Sequence, residues 1–288
     1  MSCPLCNHTA STPSWLTTFY HEQKFVYLEC LLCKSLYCQP MPDAKTLSLM
    51  YGVDYHSSDD YQETADENSE HPPLVINLLK KLEKGTFVDY GCGEGNLLTS
   101  AKRLGWQSFG VEFAPEVAAR TEQATGVKVF CMDKPPEAIR ADVLHLGDVI
   151  EHLTDLDAQM PEILRWLKPG GWLAAQGPLE GEPNLFTFAI KTIHKLKKKP
   201  SNTPPFHVIL ATAKGQRDFF KRFGLEETEY VLDEIAFPAA EKLSSSILSN
   251  PRQLGLFTLR KISKAISAAL PGERGNRYFY CGQWNGKR

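Results

Sequence analysis

Four of the eight cysteines form two closely spaced pairs near the start of the chain. Cys3 and Cys6 make one C-x2-C pair, and Cys30 and Cys33 make another. Each C-x2-C turn directs two sulfurs at one ion, and Zn²⁺ prefers four thiolates in tetrahedral geometry. The pattern predicts a zinc-ribbon-like module with a structural zinc site, because four protein ligands leave no position open for a catalytic water.

Other interpretations of these cysteines are weaker but stay open. The thiols could be buried without a metal, although two such pairs rarely arise from packing alone. A redox dithiol fits less well, since redox C-x-x-C motifs stand at a helix start after a strand. Cys38 and His21 are further candidate ligands, but they fit the site less well than the two pairs do.

A second chemical feature is a glycine-rich loop at the end of an apolar stretch. The sequence VDYGCGEGNLL places Asp89 before Gly91, Gly93 and Gly95 and then continues as a helix-like segment. Glycines allow a sharp turn and a close approach of a ligand to the backbone, and a helix N-terminus offers N–H groups to an anion. The third glycine comes one residue too early for G-x-G-x-x-G, which argues against an NAD site.

A carboxylate follows at the end of the next strand-like stretch, SFGVEF, where Glu112 stands. In a nucleotide-binding sheet, a carboxylate at this position can accept hydrogen bonds from both hydroxyls of a ribose. Glu112 is therefore a candidate cofactor ligand, with an ordinary surface carboxylate as the alternative.

The elements that must position these residues alternate regularly along the chain. Helix-like and strand-like segments succeed one another from residue 74 to residue 177, in units long enough for right-handed β-α-β crossovers. The aromatic run NRYFYCGQW near the C-terminus is β-prone and is predicted to add an antiparallel strand. We therefore expect an α/β fold with a doubly wound, Rossmann-like, mostly parallel sheet and an antiparallel C-terminal strand.

Changes in composition divide the chain into three regions. Residues 1–40 form the predicted zinc-binding module, and the stretch 41–73, much of it polar and acidic, is interpreted as a linker or lid. Residues 74–288 form the main domain, with a core over 74–230 and C-terminal helices and a final strand over 231–288.

Charge and hydropathy narrow the classes of partner. Thirty-two Lys and Arg stand against 34 Asp and Glu, a net charge of −2, so no basic field marks a nucleic-acid binder. No apolar run reaches the roughly 18 to 20 residues of a membrane span, and the N-terminus lacks the basic and apolar regions of a signal peptide. We therefore expect a cytoplasmic protein without a membrane partner, and we interpret the lysine-rich and proline-rich residues 195–207 as a surface insertion.

Several motifs together resemble those of the class I S-adenosylmethionine-dependent methyltransferases. VDYGCGEG resembles their first motif and VEF their second, ADVLHLGDVIEHL at 141–153 resembles their strand-four motif, and LKPGGWL at 167–173 resembles the turn into strand five. The resemblance covers roughly residues 74–230 and is greatest to the branch of small-molecule O- and C-methyltransferases. It implies transfer of a methyl group to a small molecule, at oxygen or carbon.

The resemblance also implies where S-adenosylmethionine binds, across the carboxyl ends of the strands. Asp89 and the glycines would lie beside the methionine part, Glu112 would hold the ribose, and Phe113 would flank the adenine. Asp133 is a candidate acceptor for the adenine amino group. The predicted cofactor-binding residues are Asp89, Gly91, Cys92, Gly93, Gly95, Glu112, Phe113, Asp133 and Asp148.

Two histidines are candidate catalytic residues. Methyl transfer from a sulfonium is an in-line displacement, so the protein mainly aligns the reactants and shields them from water. An acceptor hydroxyl or acidic C–H also needs a general base, and histidine is the usual one at neutral pH. His207 matches by position a loop histidine of related sugar and small-molecule methyltransferases, and His152 follows strand four. Either is the predicted base, and His152 could instead cap the next helix.

Two branches of the family carry a comparable N-terminal module. Sugar C-methyltransferases have a cysteine-rich zinc domain followed by tyrosines, which suggests a lid role for Tyr51 to Tyr61, but their His-Glu-His run is missing here. Ribosomal RNA guanine methyltransferases begin with a CPLC zinc module, yet the long gap to Cys30 and the acidic balance argue against RNA without excluding it. A scaffold that binds the cofactor without turnover is a third alternative. The sequence leaves the oligomeric state open.

Overall fold

The computed structural model describes residues 2–50, 74–132, 139–197, 203–234, 243–269 and 274–286. The strands of these ranges are β1 (Ser11–Tyr20), β2 (Gln23–Cys30), β3 (Leu36–Gln39), β4 (Thr86–Tyr90), β5 (Gln107–Glu112), β6 (Val129–Cys131), β7 (Ala141–Gly147), β8 (Leu167–Pro178), β9 (Ile209–Leu210), β10 (Leu225–Asp233) and β11 (Arg277–Trp284). The helices are α1 (Ala44–Met50), α2 (Leu74–Lys81), α3 (Asn96–Arg103), α4 (Pro115–Thr125), α5 (Leu156–Leu164), α6 (Leu185–Lys197), α7 (Ala213–Arg222), α8 (Ser245–Ser249) and α9 (Pro251–Ala269), and a 3₁₀ helix spans Ile150–His152.

Seven strands form the main sheet, in the order β10-β11-β8-β7-β4-β5-β6. The strands from β8 to β6 pair in parallel, whereas β11 runs antiparallel to both β8 and β10. The order along the chain reverses between β4 and β7, and such a switch point is where open α/β sheets bind ligands, outside the carboxyl ends of the strands. The predicted fold class and the antiparallel C-terminal strand are confirmed.

The middle of this sheet is an apolar core. Phe87 and Val88 of β4 and Val143 and Leu144 of β7 are fully buried. Strands covered on both faces require such near-continuous apolar runs. Each of these side chains contributes about 1.5–3 kcal/mol on burial. The core therefore fixes the strand ends from which the loops of the site emerge.

A second, smaller sheet joins the N-terminal residues to the main domain. β1 and β2 form an antiparallel hairpin, β3 pairs with β2, and β9 pairs with β3. In the last pair Leu36 lies opposite Leu210 and Tyr37 opposite Ile209. Because β9 lies between α6 and α7 in the chain, the cysteine-bearing residues share a sheet with a loop of the main domain.

The segment interpreted as a surface insertion begins inside a helix. α6 runs over Leu185–Lys197, so the first lysines of the insertion end this helix, and residues 198–202 lie outside the described ranges. Among the described residues, no helix combines the length and the apolar character that crossing a membrane requires.

Candidate active site

The loop between β4 and α3 forms a cradle of backbone. Gly91, Gly93 and Gly95 have φ angles of 79°, 49° and 77°, in the left-handed region that favours glycine. Gly91 N donates a hydrogen bond to Val111 O at 2.8 Å, which ties the loop to β5. A Cβ atom added at Gly91 would lie 2.7 Å from a methyl carbon of Val149. The loop therefore depends on glycine here both for its conformation and for its space.

The Glu112 carboxylate is fixed at the end of β5. Its Oε2 accepts a hydrogen bond from Gly93 N at 2.9 Å, and its Oε1 accepts from Phe113 N at 2.7 Å and Ala114 N at 3.3 Å. A carboxylate has about four acceptor sites, so this group keeps capacity for a ligand hydroxyl. The Glu112 side chain is buried, whereas Phe113 beside it is 54% exposed.

Behind the loop, Asp89 pairs with a histidine that the sequence analysis did not single out. Asp89 Oδ1 lies 2.7 Å from His145 Nδ1, and both side chains are buried. The two residues are direct neighbours in the pairing of β4 with β7. Packing is tight around this pair, because a Cβ atom at Gly147 would lie 2.7 Å from the His145 ring. Asp89 thus holds the two strands on either side of the switch point together.

A second polar group lies at the same edge of the sheet, beyond β7 and β8. Glu151, in the 3₁₀ helix after β7, is only 5% exposed, and its Oε1 has no hydrogen-bond partner among the described residues. Asp148 forms an ion pair with Arg277 of β11 at 2.8 Å. Because Arg277 lies opposite Pro178 at the end of β8, the antiparallel strand brings a cation to this carboxyl edge.

The two predicted catalytic histidines meet in this group. The rings of His152 and His207 are in edge-to-face contact, with their centroids 4.9 Å apart. His152 Nδ1 lies 2.8 Å from Phe206 O, and His207 Nδ1 lies 2.6 Å from Glu180 Oε2. Since a carbonyl oxygen and a carboxylate both accept hydrogen bonds, each Nδ1 carries the donated proton.

Burial and charge shift the pKa values of this group in different directions. Burial, together with the charge of Asp148, raises the pKa of Glu151 to about 8. Burial and the neighbouring His207 lower the pKa of His152 to about 4. Burial opposes the charged form of His207 as well, but Glu180 outweighs it and raises the pKa of His207 to about 9. Shifts of this size are concentrated at functional sites.

The four predicted zinc ligands are brought together by the N-terminal fold. The sulfurs of Cys3 and Cys33 lie 3.7 Å apart, those of Cys6 and Cys30 lie 3.5 Å apart, and all four fall within 4.8 Å of one another. Disulfide sulfurs would be about 2.05 Å apart. A tetrahedral zinc site with Zn–S bonds of about 2.3 Å separates its sulfurs by roughly 3.8 Å. The arrangement fits a four-thiolate metal site. Cys38 is not part of it, because its thiol donates a hydrogen bond to Pro40 O.

The cysteine-bearing module contacts the backbone of the loop that carries His207. Tyr27 Oη donates a hydrogen bond to His207 O at 2.7 Å, and Cys38 N donates to Val208 O at 2.8 Å. Further along, Thr212 Oγ1 donates to Cys33 O at 2.6 Å. The module therefore holds the histidine loop in place through three separate contacts.

The structure places most, but not all, of the predicted site residues. Asp133 and Tyr51 to Tyr61 lie outside the described residues. The Cys92 side chain is buried in an apolar cluster, and Asp148 lies in the histidine group with Arg277. The glycines, Glu112 and Phe113 gather at the ends of β4 and β5, as the resemblance implied for a cofactor site. Their role as ligands stays a prediction.

Sequence reasoning missed three charged or polar partners of the predicted residues. Glu180 follows the end of β8 and Arg277 begins β11, and no motif marks either residue. His145 faces Asp89 because the register of β4 and β7 pairs them. Aligning the two apolar strand motifs by their polar residues would have found that pair, but not the other two.

Comparisons with known proteins agree with this geometry. Residues 62–229, more than half of the chain, match the family described as a methyltransferase domain. The ribosomal protein L11 methyltransferase of Haemophilus ducreyi is 30% identical over 119 residues, which cover 38% of this chain and 40% of that protein. The ubiquinone biosynthesis O-methyltransferase of Proteus mirabilis is 29% identical over 150 residues, covering 44% and 61%.

A solved structure shows the same fold at low identity. The plantazolicin methyltransferase BpumL, solved with a desmethylplantazolicin analogue and SAH, has 12% identity and a TM-score of 0.50, with 84% of this chain and 95% of that one covered. The chain spans about 40 to 61% of the length of the two curated relatives described above. From the matched residues and the fold, the chain belongs to the methyltransferase domain family. This confirms the predicted class I S-adenosylmethionine-dependent methyltransferase domain.

Proposed function

We propose that the chain transfers the methyl group of S-adenosylmethionine to the oxygen or carbon of a small-molecule acceptor. The observation that carries the proposal is that two groups of residues lie at one edge of the sheet. The glycine loop and Glu112 end β4 and β5, and the His152–His207 pair lies beyond β7 and β8. A donor site and an acceptor site on either side of the switch point suit a transfer reaction.

The cofactor would lie against the glycine loop. Glu112 would accept the ribose hydroxyls and Phe113 would flank the adenine. The loop carrying Gly91, Cys92, Gly93 and Gly95 would lie beside the methionine part. Asp89, whose Oδ1 is paired with His145, would also lie beside the methionine part. Asp133 stays a proposed acceptor for the adenine amino group, and Asp148 stays a proposed cofactor-binding residue. The bound cofactor supplies a methyl group on a positively charged sulfur.

The acceptor reacts by in-line displacement. A bond forms between its oxygen or carbon and the methyl carbon while the carbon–sulfur bond breaks, and the electron pair of that bond stays on sulfur. The acceptor proton leaves to a base, either His207 or His152. His152, whose pKa is lowered to about 4, is neutral near pH 7, whereas His207, whose pKa is raised to about 9, accepts a proton only in the neutral form that it takes at higher pH. His207 is oriented by Glu180, and a base held by a third group in this way is the usual arrangement for proton transfer.

A protein acceptor is the second candidate. Relatives named as ribosomal protein L11 methyltransferases match part of the chain. The relative named for ubiquinone biosynthesis supports a small molecule instead. If the acceptor is RNA, the chain should bind RNA with an affinity that falls steeply as the salt concentration rises. If the chain is a non-catalytic scaffold, it should bind the cofactor without transferring a methyl group to any acceptor. A screen with tritiated S-adenosylmethionine against phenols, sugars, L11 protein and ribosomal RNA separates these cases.

We also propose that the four N-terminal cysteines hold one structural zinc ion. Their sulfur separations and the burial of Cys3, Cys30 and Cys33 support a closed thiolate site. The ion would fix β2 and β3, and with them the contacts that Tyr27 and Cys38 make to the histidine loop. Zinc would therefore act on catalysis through the position of His207.

The histidine pair is tested by His207→Ala and His152→Ala. If either residue removes the acceptor proton, its loss lowers transfer to an accepted phenol or sugar by about 10²- to 10⁴-fold. Binding of S-adenosylhomocysteine should stay within two-fold of the parent protein, because neither residue lies in the glycine loop. His21→Ala, in the β1–β2 turn, serves as the control. Transfer rates that neither substitution changes would remove this mechanism.

A further inference from the structure

Three potential metal ligands converge in the histidine group. The ligand atoms of Glu151, His152 and His207 all lie within 4.8 Å of one another. The Glu151 side chain is 5% exposed, and its Oε1 has no hydrogen-bond partner among the described residues. An unsatisfied buried carboxylate oxygen is costly, so its presence beside two imidazoles needs an explanation.

The hydrogen bonds of the two histidines are those of metal-bound imidazoles. A histidine that ligates a metal through one ring nitrogen usually donates the other N–H to a carboxylate or a backbone carbonyl. His207 Nδ1 donates to Glu180, and His152 Nδ1 donates to Phe206 O. A cation binds only the neutral form of each ring, and in that form Nε2 carries the lone pair that the cation requires.

The charge of the group favours a dication. The carboxyl groups of Asp148, Glu151 and Glu180 all belong to this group, and Arg277 is paired with one of them, Asp148. A divalent cation bound by Glu151 and the two imidazoles would add positive charge where carboxyl groups are concentrated.

We propose that Glu151, His152 and His207 bind one divalent transition-metal cation, in a site separate from the four cysteines. Two nitrogens and one carboxylate oxygen suit Mn²⁺, Fe²⁺ or Zn²⁺ better than Ca²⁺ or Mg²⁺, which prefer oxygen ligands. Three protein ligands leave coordination positions open, as in sites where a metal binds water or substrate.

The inference deepens the proposed function and rests on it for the location of the acceptor. A bound cation would lower the pKa of an acceptor hydroxyl next to it, so that the hydroxyl proton would pass to solvent. The resulting oxygen would form its bond to the methyl carbon while the carbon–sulfur bond breaks, and the electron pair of that bond would stay on sulfur. In the loaded site His152 and His207 are ligands rather than bases, and the acceptor class is narrowed to hydroxyl compounds.

Metal binding is measured without turnover, on the full chain with its cysteine site loaded with zinc. Mn²⁺ is the probe, because its free form is counted by electron paramagnetic resonance and thiolates bind it weakly. We expect one Mn²⁺ per chain. Glu151→Gln and His207→Asn should each weaken Mn²⁺ binding at least ten-fold, whereas Glu162→Gln, an exposed carboxylate paired with Arg165, should leave it unchanged.

A variant that binds S-adenosylhomocysteine is folded. If one of the ligand variants does not bind S-adenosylhomocysteine, His152→Asn takes its place. Absence of Mn²⁺ binding by the parent protein at millimolar metal would overturn the inference. So would binding that persists in two folded ligand variants. In either case the chain still binds S-adenosylhomocysteine, so the proposed function is not affected. The proposed function fails if the chain binds Mn²⁺ but does not bind S-adenosylhomocysteine or does not transfer a methyl group.

Discussion

Cys33→Ser, which would remove the proposed zinc ion, is expected to have the largest effect on stability. Structural zinc sites in small zinc-finger modules contribute about 10–16 kcal/mol of apparent binding energy, which becomes folding energy. Cys33 and Cys3 lie 3.7 Å apart in the group of four sulfurs, so losing one thiolate opens the site. We expect bound zinc to fall from one ion per chain to near zero and the unfolding temperature to fall with it.

A matched control lies in the same module. Cys38 is also a buried thiol, but it donates a hydrogen bond to Pro40 O and does not belong to the group of four sulfurs. Cys38→Ser should keep a full zinc ion and cost about 1–3 kcal/mol, the range for a buried polar change. Metal analysis and thermal unfolding read out both variants. Full zinc occupancy in Cys33→Ser would show that the four-thiolate assignment is wrong.

Gly91→Ala is expected to have the largest effect on cofactor binding without touching a charged group. The new Cβ would lie 2.7 Å from a Val149 methyl, and the backbone φ of 79° is strained for alanine. The loop must shift to relieve the clash, and the donors and carboxylate that it aligns shift with it. We expect S-adenosylhomocysteine affinity to fall at least ten-fold.

Gly105→Ala separates the clash from the backbone strain. Gly105 has a φ of 88°, but a Cβ there would meet no atom within 4 Å. The left-handed conformation alone costs about 1–2 kcal/mol, which should appear as lower stability with unchanged affinity. Calorimetric titration of both variants measures the difference. Equal affinities in Gly91→Ala and the parent protein would mean that the loop is not the cofactor cradle.

Local patterns in the sequence were enough to predict the main sheet, the grouping of the four cysteines and the glycine loop beside Glu112. Apolar runs between glycines mark buried parallel strands, and β11 is recognisable from its aromatic, β-prone composition. The cysteine pairs are close in sequence, so their convergence needs one hairpin alone. The Gly91 turn and Glu112 lie at the ends of adjacent strands, which the parallel pairing brings together without further information.

Contacts between distant segments escaped the sequence analysis. His207 lies beside Glu151 and pairs with Glu180, and Arg277 pairs with Asp148, because the ends of several strands and one loop meet at this edge of the sheet. No shared sequence motif links these residues. The pairing of β3 with β9 involves two residues on each strand, which is too short to leave a period. The start of helix α6 at Leu185 was not predicted, because the hydrophobic pattern loosens after Pro178 and the lysine- and proline-rich residues that follow suggested a surface insertion.

Calorimetric titration of the zinc-loaded chain with S-adenosylhomocysteine tests the central claim most directly. We predict saturable one-to-one binding that Glu112→Ala abolishes, because this carboxylate is both the ribose acceptor and the partner of the Gly93 amide. Glu122→Ala is the matched control, since Glu122 also accepts a backbone N–H, from Val129, but lies in α4 away from the loop. The affinity of Glu122→Ala for S-adenosylhomocysteine should equal that of the parent protein. Undetectable binding by the parent chain, or equal binding by Glu112→Ala, would contradict the account.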